Sequence, residues 1–414
     1  MNISFIPKNT KGPRKILLIA VMVFLLHGFL TRTFHLSQTF NYAVEFFSLF
    51  IWFCKPFQLK KTKLKVALAI IIVMSFFALI GVILNQVAPM NVLMGFRGQI
   101  MPMALCFGAA AYLTVNDYHR IFGLFYKFQW LNLACTLIQF FVYGLTSDYN
   151  NGAFTGGAEQ NFFCSILIAY YFYAYNNKLA TLRQFLFILI SSFTIAILQD
   201  EKFIFIAVIL ILINYLFNQK ISFRNIIGIL LLSLSLIFAL RNLDDSQSNS
   251  IGSIDNAIEY SQTAGLGYGF PRIGSSSLIS EMFFDSPVKK MFGLGLGTGT
   301  ENKAPGVDLS FSYQYGGLCY FLFTFQNVFL QTGWLGIITF VSFFVYLYIY
   351  NRRWKQKSPY QYKWLYDVAI SISLITILII WYNGTLRVYY AVLPYIILGL
   401  GPCLTKSIMR KNEK

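Results

Sequence analysis

Residues 291–301 (MFGLGLGTGTE) carry glycines at alternate positions: Gly293, Gly295, Gly297 and Gly299. Glycine permits close backbone approach and φ > 0 turns, and glycine runs often surround phosphate groups. However, no Lys-Ser or Lys-Thr pair follows this run and no buried strand precedes it, so it does not match a nucleotide-binding loop. If the run meets a phosphate, we expect the charge to be held by residues elsewhere in the chain.

Four cations border or interrupt apolar segments, namely Arg97, Lys202, Arg272 and Arg387. A charge at the centre of a bilayer costs about 2.5–3.5 kcal/mol, and less near the interface, so each of the four needs an anionic partner. One interpretation pairs them individually with the carboxylates that precede Lys202 or with lipid head groups. For the set as a whole we favour one bound anion, since arginine offers a planar fork suited to phosphate.

Composition places these cations in a membrane protein. Of the 414 residues, 57% are hydrophobic and 12% are charged, whereas a soluble domain carries about 25% charged residues. Apolar runs long enough to cross a bilayer predict twelve spans. They lie at about 15–34, 38–54, 64–84, 99–115, 119–143, 158–176, 184–200, 203–219, 224–241, 323–350, 364–383 and 387–405. The predicted fold is an all-α integral membrane bundle.

Basic residues indicate the orientation of these spans. Most of the 33 Lys and Arg fall in the segments that are cytoplasmic if the N-terminus is inside, which is the positive-inside pattern. The net charge of +17 is therefore topological, and nucleic acid is not a predicted partner. Both termini are predicted to be cytoplasmic, in a multi-pass protein of the cell membrane.

One segment differs in composition from the rest of the chain. Residues 242–322 are rich in Ser, Gly, Asn and Asp. The topology makes them one large extracytoplasmic loop between residues 1–241, which contain spans one to nine, and residues 323–414, which contain spans ten to twelve and a cytoplasmic tail. Loops held on a rigid scaffold often carry sites. Residues 272–284 are predicted to form an amphipathic helix that ends before Ser286 and Pro287. The scattered cysteines and histidines predict no metal site, and no cofactor is indicated.

These features together suit a polyprenyl-pyrophosphate sugar carrier. ATP is absent outside the cytoplasm, whereas such a carrier has its tail in lipid and its pyrophosphate at the membrane rim. Glycosyl transfer needs fixed cations for the departing pyrophosphate and a base for the acceptor hydroxyl. Glu301, Asp285 and Glu159 are candidate bases, although a solvated carboxylate is the more common role for a loop acid.

Three segments resemble the O-antigen polymerase and O-antigen ligase superfamily of membrane glycosyltransferases. Residues 152–161 (GAFTGGAEQN) resemble its G-x-F segment at the start of a helix. Arg272, followed by residues 292–297 (FGLGLG), is similar to the arginine and glycine run of the family's large periplasmic loop. Residues 327–336 (NVFLQTGWLG) resemble the glycine-containing start of the next span.

The resemblance implies a GT-C-like helical bundle that joins undecaprenyl-pyrophosphate-linked repeat units at the extracytoplasmic face, by inverting and metal-independent transfer. It implies pyrophosphate contacts for Arg97 and Arg272. The substrate-binding set predicted around them is Lys202, Arg387, Glu159, Asn161, Asn327, Gly293, Gly295 and Gly297. A chain-length regulator and a flippase are the possible protein partners.

One departure from the family separates its two activities. Ligases carry a His-Asn pair after the large loop, where this chain has Gln326 and Asn327, and an amide does not titrate near pH 7. Polymerase, making O-antigen, capsule or exopolysaccharide, is therefore preferred to ligase. A lipid-linked oligosaccharide flippase and a peptidoglycan polymerase stay open as alternatives.

Overall fold

The apolar runs of the sequence form long helices. The computed structural model describes residues 11–33, 40–54, 62–145, 149–199, 201–218, 226–227, 229–230, 233, 269–272 and 274–412. Within these ranges the protein is all-helical and has no β-strand. Residues 242–268, the first part of the predicted large loop, and nearly all of the predicted span 224–241 lie outside the described residues.

The α-helices of the described ranges are, in chain order, α1 (Lys11–Thr33), α2 (Phe40–Phe53), α3 (Lys65–Leu84), α4 (Pro89–Gly95), α5 (Met103–Tyr112), α6 (Val115–Phe141), α7 (Gly157–Asn176), α8 (Leu182–Leu198), α9 (Phe203–Asn218), α10 (Ser275–Phe283), α11 (Pro287–Phe292), α12 (Ser310–Tyr315), α13 (Thr324–Lys357), α14 (Tyr360–Tyr382), α15 (Val392–Leu398) and α16 (Leu400–Asn412). A π-helix (Phe96–Ile100) follows α4, and 3₁₀ turns occupy Gly316–Leu318 and Val388–Ala391.

Six stretches are helical, long and apolar enough to cross a membrane: Lys11–Arg32, Lys65–Leu84, Val115–Phe141, Thr324–Lys357, Tyr360–Tyr382 and Val388–Arg410. The pair formed by Pro89–Ile100 and Met103–Tyr112 would make a seventh span, bent by 46°. The prediction of an all-α membrane protein is thus confirmed in class. The number of twelve spans is not established and stays a prediction.

Local sequence signals explain where several helices begin. Thr114 and Asp117 form a capping box at the start of α6, and Thr181 and Gln184 form another at the start of α8. The helix predicted over 272–284 is present as α10. Ser286 and Pro287 then do more than end it, because the Ser286 hydroxyl accepts a hydrogen bond from Lys289 N at 3.3 Å and α11 begins at the proline.

Helix α13 is interrupted at Gly333, where φ is 62° and ψ is −162°. The break leaves the carbonyls of Leu330 and Gln331 free to accept hydrogen bonds from Leu294 N at 3.0 Å and Gly295 N at 2.9 Å. A Cβ on Gly333 would lie 2.5 Å from the Met291 carbonyl oxygen, so the close approach requires glycine. The glycine run is therefore joined to the broken helix through backbone hydrogen bonds.

The ends of the long helices separate into two groups. At one end, Arg14 at the start of α1 contacts Asp117 at the start of α6, and Lys355 near the end of α13 contacts Asp367 near the start of α14. Lys406 donates to the carbonyl of Leu113 at this same end. The starts of α2 and α7, the break in α13 and the end of α14 lie at the other end, which we call the site end.

Candidate functional site

A cavity of about 820 Å³ lies at the site end of the bundle. Its walls come from the start of α2, the π-helix, the start of α7, the glycine run with residues 300–303, and the segment after α14. Its charged lining residues are Glu45, Arg97, Glu301, Lys303 and Arg387. This volume is within the range of about 300–1,000 Å³ that is usual for small-molecule sites. Residues far apart in the sequence thus line one cavity.

The glycine run forms part of this wall because it fits between helices. Gly297 and Gly299 line the cavity. Gly297 has φ of +90°, and a Cβ there would overlap the Asn91 carbonyl and lie 3.0 Å from Val92 N. Gly293 and Gly295 lie deeper, against the broken part of α13 and against α3, and do not line the cavity. The run acts as a packed wall of the cavity rather than as an open anion loop.

Arg97 lines the cavity but is already paired with an acid. Its Nε lies 2.8 Å from Glu45 Oε2, and the Glu45 side chain is 6% exposed. The Arg97 guanidinium also lies over the Tyr42 ring, 5.0 Å from its centroid, and the Glu45 carboxylate accepts from the backbone N–H of Tyr389. Arg97 therefore links α2, the π-helix and the segment after α14, and Glu45 compensates much of its charge.

Arg387 is the cation whose surroundings best suit an anion. One Nη donates to the Phe321 carbonyl at 3.0 Å, while its buried Nε has no hydrogen-bond partner among the described residues. Its guanidinium is cationic at pH 7, as arginine is throughout the physiological range, and Glu301 is close enough to interact with it electrostatically. The next residue, Val388, has φ of 49°, an uncommon and strained conformation for a β-branched residue. The segment is thus held in a conformation that chain propensity alone would not select.

Glu301 and Lys303 lie on the segment directly after the glycine run, and both side chains are partly exposed and line the cavity. Partial burial of the Glu301 carboxylate against the cavity wall raises its pKa, and the nearby positive charge of Arg387 opposes that shift. A carboxylate with a raised pKa is a stronger base than a freely solvated one, so Glu301 is suited to accept a proton. The cavity thus contains a candidate base beside a candidate anion ligand.

The floor of the cavity is built from neutral amides. Gln99 on the π-helix and Gln331 on α13 line the cavity, and Asn327 lies behind them. All three are buried, with exposures of 1%, 2% and 0% respectively. Gln99 Nε2 donates to Asn327 Oδ1 at 3.2 Å and to Gln331 Oε1 at 2.9 Å. Asn327, one of the predicted substrate ligands, does not itself line the cavity but is hydrogen-bonded to the two glutamines that do.

Polar side chains inside α6 hold the loop that leads to α7. Asn132 Oδ1 accepts from Ala153 N at 3.1 Å, and Gln139 Oε1 accepts from Gly152 N at 2.8 Å. Glu159 Oε2 accepts from the Thr155 hydroxyl at 2.8 Å and is almost fully buried, as is Asn161. Glu159 and Asn161 do not line the cavity. Instead, the segment that contains them brings residues 156–158 to its wall.

Arg272 and Lys202 are not among the residues that line the cavity. The Arg272 guanidinium lies over the rings of Tyr382 and Phe323, 4.7 and 5.3 Å from their centroids, so it sits against the end of α14. Lys202 lies just before α9. The structure therefore brings Arg97, Arg387 and Glu301 to one cavity, while Arg272, the other arginine of the predicted pyrophosphate clamp, is not among the residues that line it.

Several cavity residues were not predicted from the sequence. Glu45 had a detectable signal, because an acid within an apolar helix is costly and functional or paired in most proteins. Lys303 and Gln99 had no such signal: an exposed loop lysine and a glutamine near a helix turn are common in any chain. Among the described residues, no group of three or more His, Cys, Asp or Glu is placed to hold a metal ion.

The sequence matches no protein-family model, and a search of curated proteins finds no match. Fold and site therefore define the class of this protein on their own. It is an all-helical membrane protein with a cavity at one end of its helices, lined by both charged groups and neutral amides.

Proposed function

We propose that the chain is a membrane glycosyltransferase that joins undecaprenyl-pyrophosphate-linked oligosaccharide repeat units into a polysaccharide at the extracytoplasmic face. The proposal includes the twelve-span, GT-C-like bundle with both termini cytoplasmic. It rests on the resemblance of three segments to the O-antigen polymerase and ligase superfamily, and on the cavity at the site end. Two of those segments, the glycine run and the start of α13, are in contact.

The observation that carries the proposal is the meeting of Arg387, Lys303 and Glu301 in one cavity at the end of the helices. A pyrophosphate needs cations at the membrane rim, and the Arg387 Nε is buried without a partner among the described residues. The 820 Å³ volume leaves room for sugar rings beside the phosphates. Arg387 and Lys303 thus replace Arg272 as the proposed pyrophosphate ligands, and Arg97 supports the wall through Glu45.

The proposed glycosyl transfer needs only the donor, the acceptor and groups of the cavity. The acceptor hydroxyl oxygen attacks the anomeric carbon of the donor and forms the new glycosidic bond, while Glu301 takes the hydroxyl proton. The bond from that carbon to the pyrophosphate oxygen breaks, and its electron pair leaves with the pyrophosphate. Arg387 and Lys303 stabilise the charge that develops there, which is where fixed cations lower a barrier.

The alternative activities fit the cavity less well. A flippase needs cations that face a passage through the membrane, whereas these groups line a cavity at one end of the helices. The ligase alternative requires a titrating base near the start of α13, where the structure has Gln326 and the buried Asn327. We therefore retain the polymerase.

The proposal is tested with purified protein and carrier-linked repeat units in detergent. Detergent micelles have no two membrane sides, so a flippase would produce no signal in this assay. Elongation of the glycan is measured by gel electrophoresis and mass spectrometry. Arg387→Gln is expected to lower the polymerisation rate about 10²–10³-fold, the loss typical for removing one group that stabilises a developing oxyanion. An absence of elongation by the wild-type protein under any carrier loading would overturn the proposal.

A matched control separates this effect from a general loss of charge. Arg352 is an exposed arginine near the end of α13 that is opposite to the cavity, where its guanidinium contacts Tyr348. Arg352→Gln makes the same chemical change and is expected to keep the rate within about twofold of the wild type, as surface substitutions usually do. Equal losses in the two variants would argue against an anion site at Arg387.

A further inference from the structure

The amide groups on the cavity floor have a fixed orientation. Asn and Gln side chains are ordinarily ambiguous, since their oxygen and nitrogen differ little in shape. Here one partner is unambiguous: the backbone N–H of Gly297 can only donate, and it lies 2.7 Å from Gln331 Oε1. The corner of Gln331 that faces Gly297 is therefore its oxygen.

The orientation of Gln331 in turn fixes the orientation of the other two amides on the cavity floor. Gln331 must present its Nε2 on the other side, and this group donates to Asn327 Oδ1 at 2.8 Å. The Asn327 oxygen then faces Gln99, so Gln99 can only present its Nε2, which donates to both Asn327 and Gln331. Reversing any one amide would set two oxygens or two N–H groups against each other. The Gly297 N–H thus fixes three side chains in series.

The consequence is a free acceptor on the floor. Once Gln99 Nε2 is committed to its two neighbours, Gln99 Oε1 occupies the remaining corner of the amide, buried and without a hydrogen-bond partner among the described residues. An unpaired buried carbonyl of this kind is costly unless a ligand supplies a donor. Gln99 also lies in a π-helix, a distortion often found at functional sites.

We propose that Gln99 Oε1 accepts a hydrogen bond from a sugar hydroxyl, and that the floor is a subsite for a neutral glycan beside the charged pyrophosphate site. This inference rests on the proposed function. The two parts differ in chemistry: Arg387 and Lys303 recognise phosphate oxygens, which only accept hydrogen bonds, whereas a free amide oxygen selects a donor. Gln99 is thus a specificity residue for the glycan.

The test separates these two parts with two probes. One is undecaprenyl pyrophosphate without sugar, and the other is the same lipid bearing the repeat-unit oligosaccharide, isolated from cells that make the polymer. Binding to purified protein is titrated by native mass spectrometry. Gln99→Met removes the acceptor and leaves no neighbour unpaired, because Gln331 keeps its bond from Gly297 and Asn327 keeps its bond from Gln331.

Gln99→Met is expected to weaken binding of the glycan-bearing lipid by about 3–10-fold, the value of one neutral hydrogen bond, and to leave binding of the bare lipid unchanged. Arg387→Gln should weaken both. Gln129→Met is the control, because Gln129 is equally buried but lies on α6 and does not line the cavity. All variants are first checked for monodisperse elution.

The outcomes separate the two proposals. If Gln99→Met changes the affinity for the glycan-bearing lipid by twofold or less, or weakens both probes equally, the subsite is overturned while the pyrophosphate site stands on the Arg387→Gln result. If the wild-type protein binds neither probe, the proposed function itself is overturned, and the glycan subsite falls with it.

Discussion

Replacement of Gly297 by alanine tests whether the glycine run is a packed wall of the cavity. Two effects add at this position. The φ of +90° disfavours an L-residue by about 1–2 kcal/mol. A Cβ would also overlap the Asn91 carbonyl, and overpacking of this kind costs about 1–3 kcal/mol. The expected loss in the free energy of unfolding is therefore about 2–5 kcal/mol.

Asn91 cannot move away to relieve the overlap. Its Nδ2 donates to the Asp308 carbonyl at 2.7 Å, and its Oδ1 accepts from Asp308 N at 2.8 Å. These bonds hold the start of α4 to the segment that follows the glycine run. A shift of Gly297 itself would break its hydrogen bond to Gln331. The clash is therefore expected to persist rather than relax.

Two glycines provide matched controls that separate strain from overlap. Gly306 has φ of +78°, and a Cβ there would meet Met90 at an ordinary 3.9 Å, so Gly306→Ala should cost only about 1–2 kcal/mol. Gly123 is inside α6 with no described atom within 4 Å, so Gly123→Ala should stabilise the helix by up to about 1 kcal/mol.

The three variants are compared by SDS titration in mixed micelles, with unfolding followed by tryptophan fluorescence. The expected order of stability is Gly123→Ala, then Gly306→Ala, then Gly297→Ala. If Gly297→Ala loses no more stability than Gly306→Ala, the overlap with Asn91 does not exist in the folded protein, and the packed-wall interpretation is refuted.

Two further predictions follow from the charged groups. Burial raises the pKa of Glu301 and Arg387 lowers it. Arg387→Gln should therefore move the acid limb of the pH profile of the residual polymerisation rate to higher pH, and Glu301→Gln should remove that limb. If the acid limb is unmoved in both variants, Glu301 is excluded as the base. Arg14→Gln leaves the buried Asp117 without its ion pair and should cost about 1–3 kcal/mol of unfolding free energy. Asp285→Asn removes one partner of an exposed pair and should leave the unfolding free energy nearly unchanged, so equal losses in the same SDS titration would contradict the burial argument.

The helical membrane class could be predicted because it depends on composition and run length alone. An apolar stretch such as residues 65–84 satisfies its own backbone hydrogen bonds as a helix wherever it lies in the fold. The amphipathic helix at α10 was predictable for a similar local reason. The start of α11 at Pro287 was missed, since a serine and proline pair either ends one helix or begins the next.

The cavity was predictable only in part. Arg97 and Arg387 were selected because charges beside apolar segments need partners, and Glu301 was selected as a candidate base; both arguments are local. They could not specify which partner each charge would meet. Glu45 neutralises Arg97 through an approach of α2 to the π-helix, and Arg272 lies on aromatic rings at the end of α14. Such pairings depend on how distant helices pack against each other, and that packing leaves no repeating pattern in the sequence.

The sequence by itself determined that MFGLGLGTGTE is not a nucleotide loop and that its glycines allow close backbone contact. Only the tertiary structure decided what makes that contact. The break of α13 at Gly333 exposes two carbonyls, the run pairs with them, and Gly297 then directs its N–H at Gln331. The physical reason is that a backbone N–H can bond only to an acceptor that lies in front of it. Which acceptor lies there depends on how distant segments pack together.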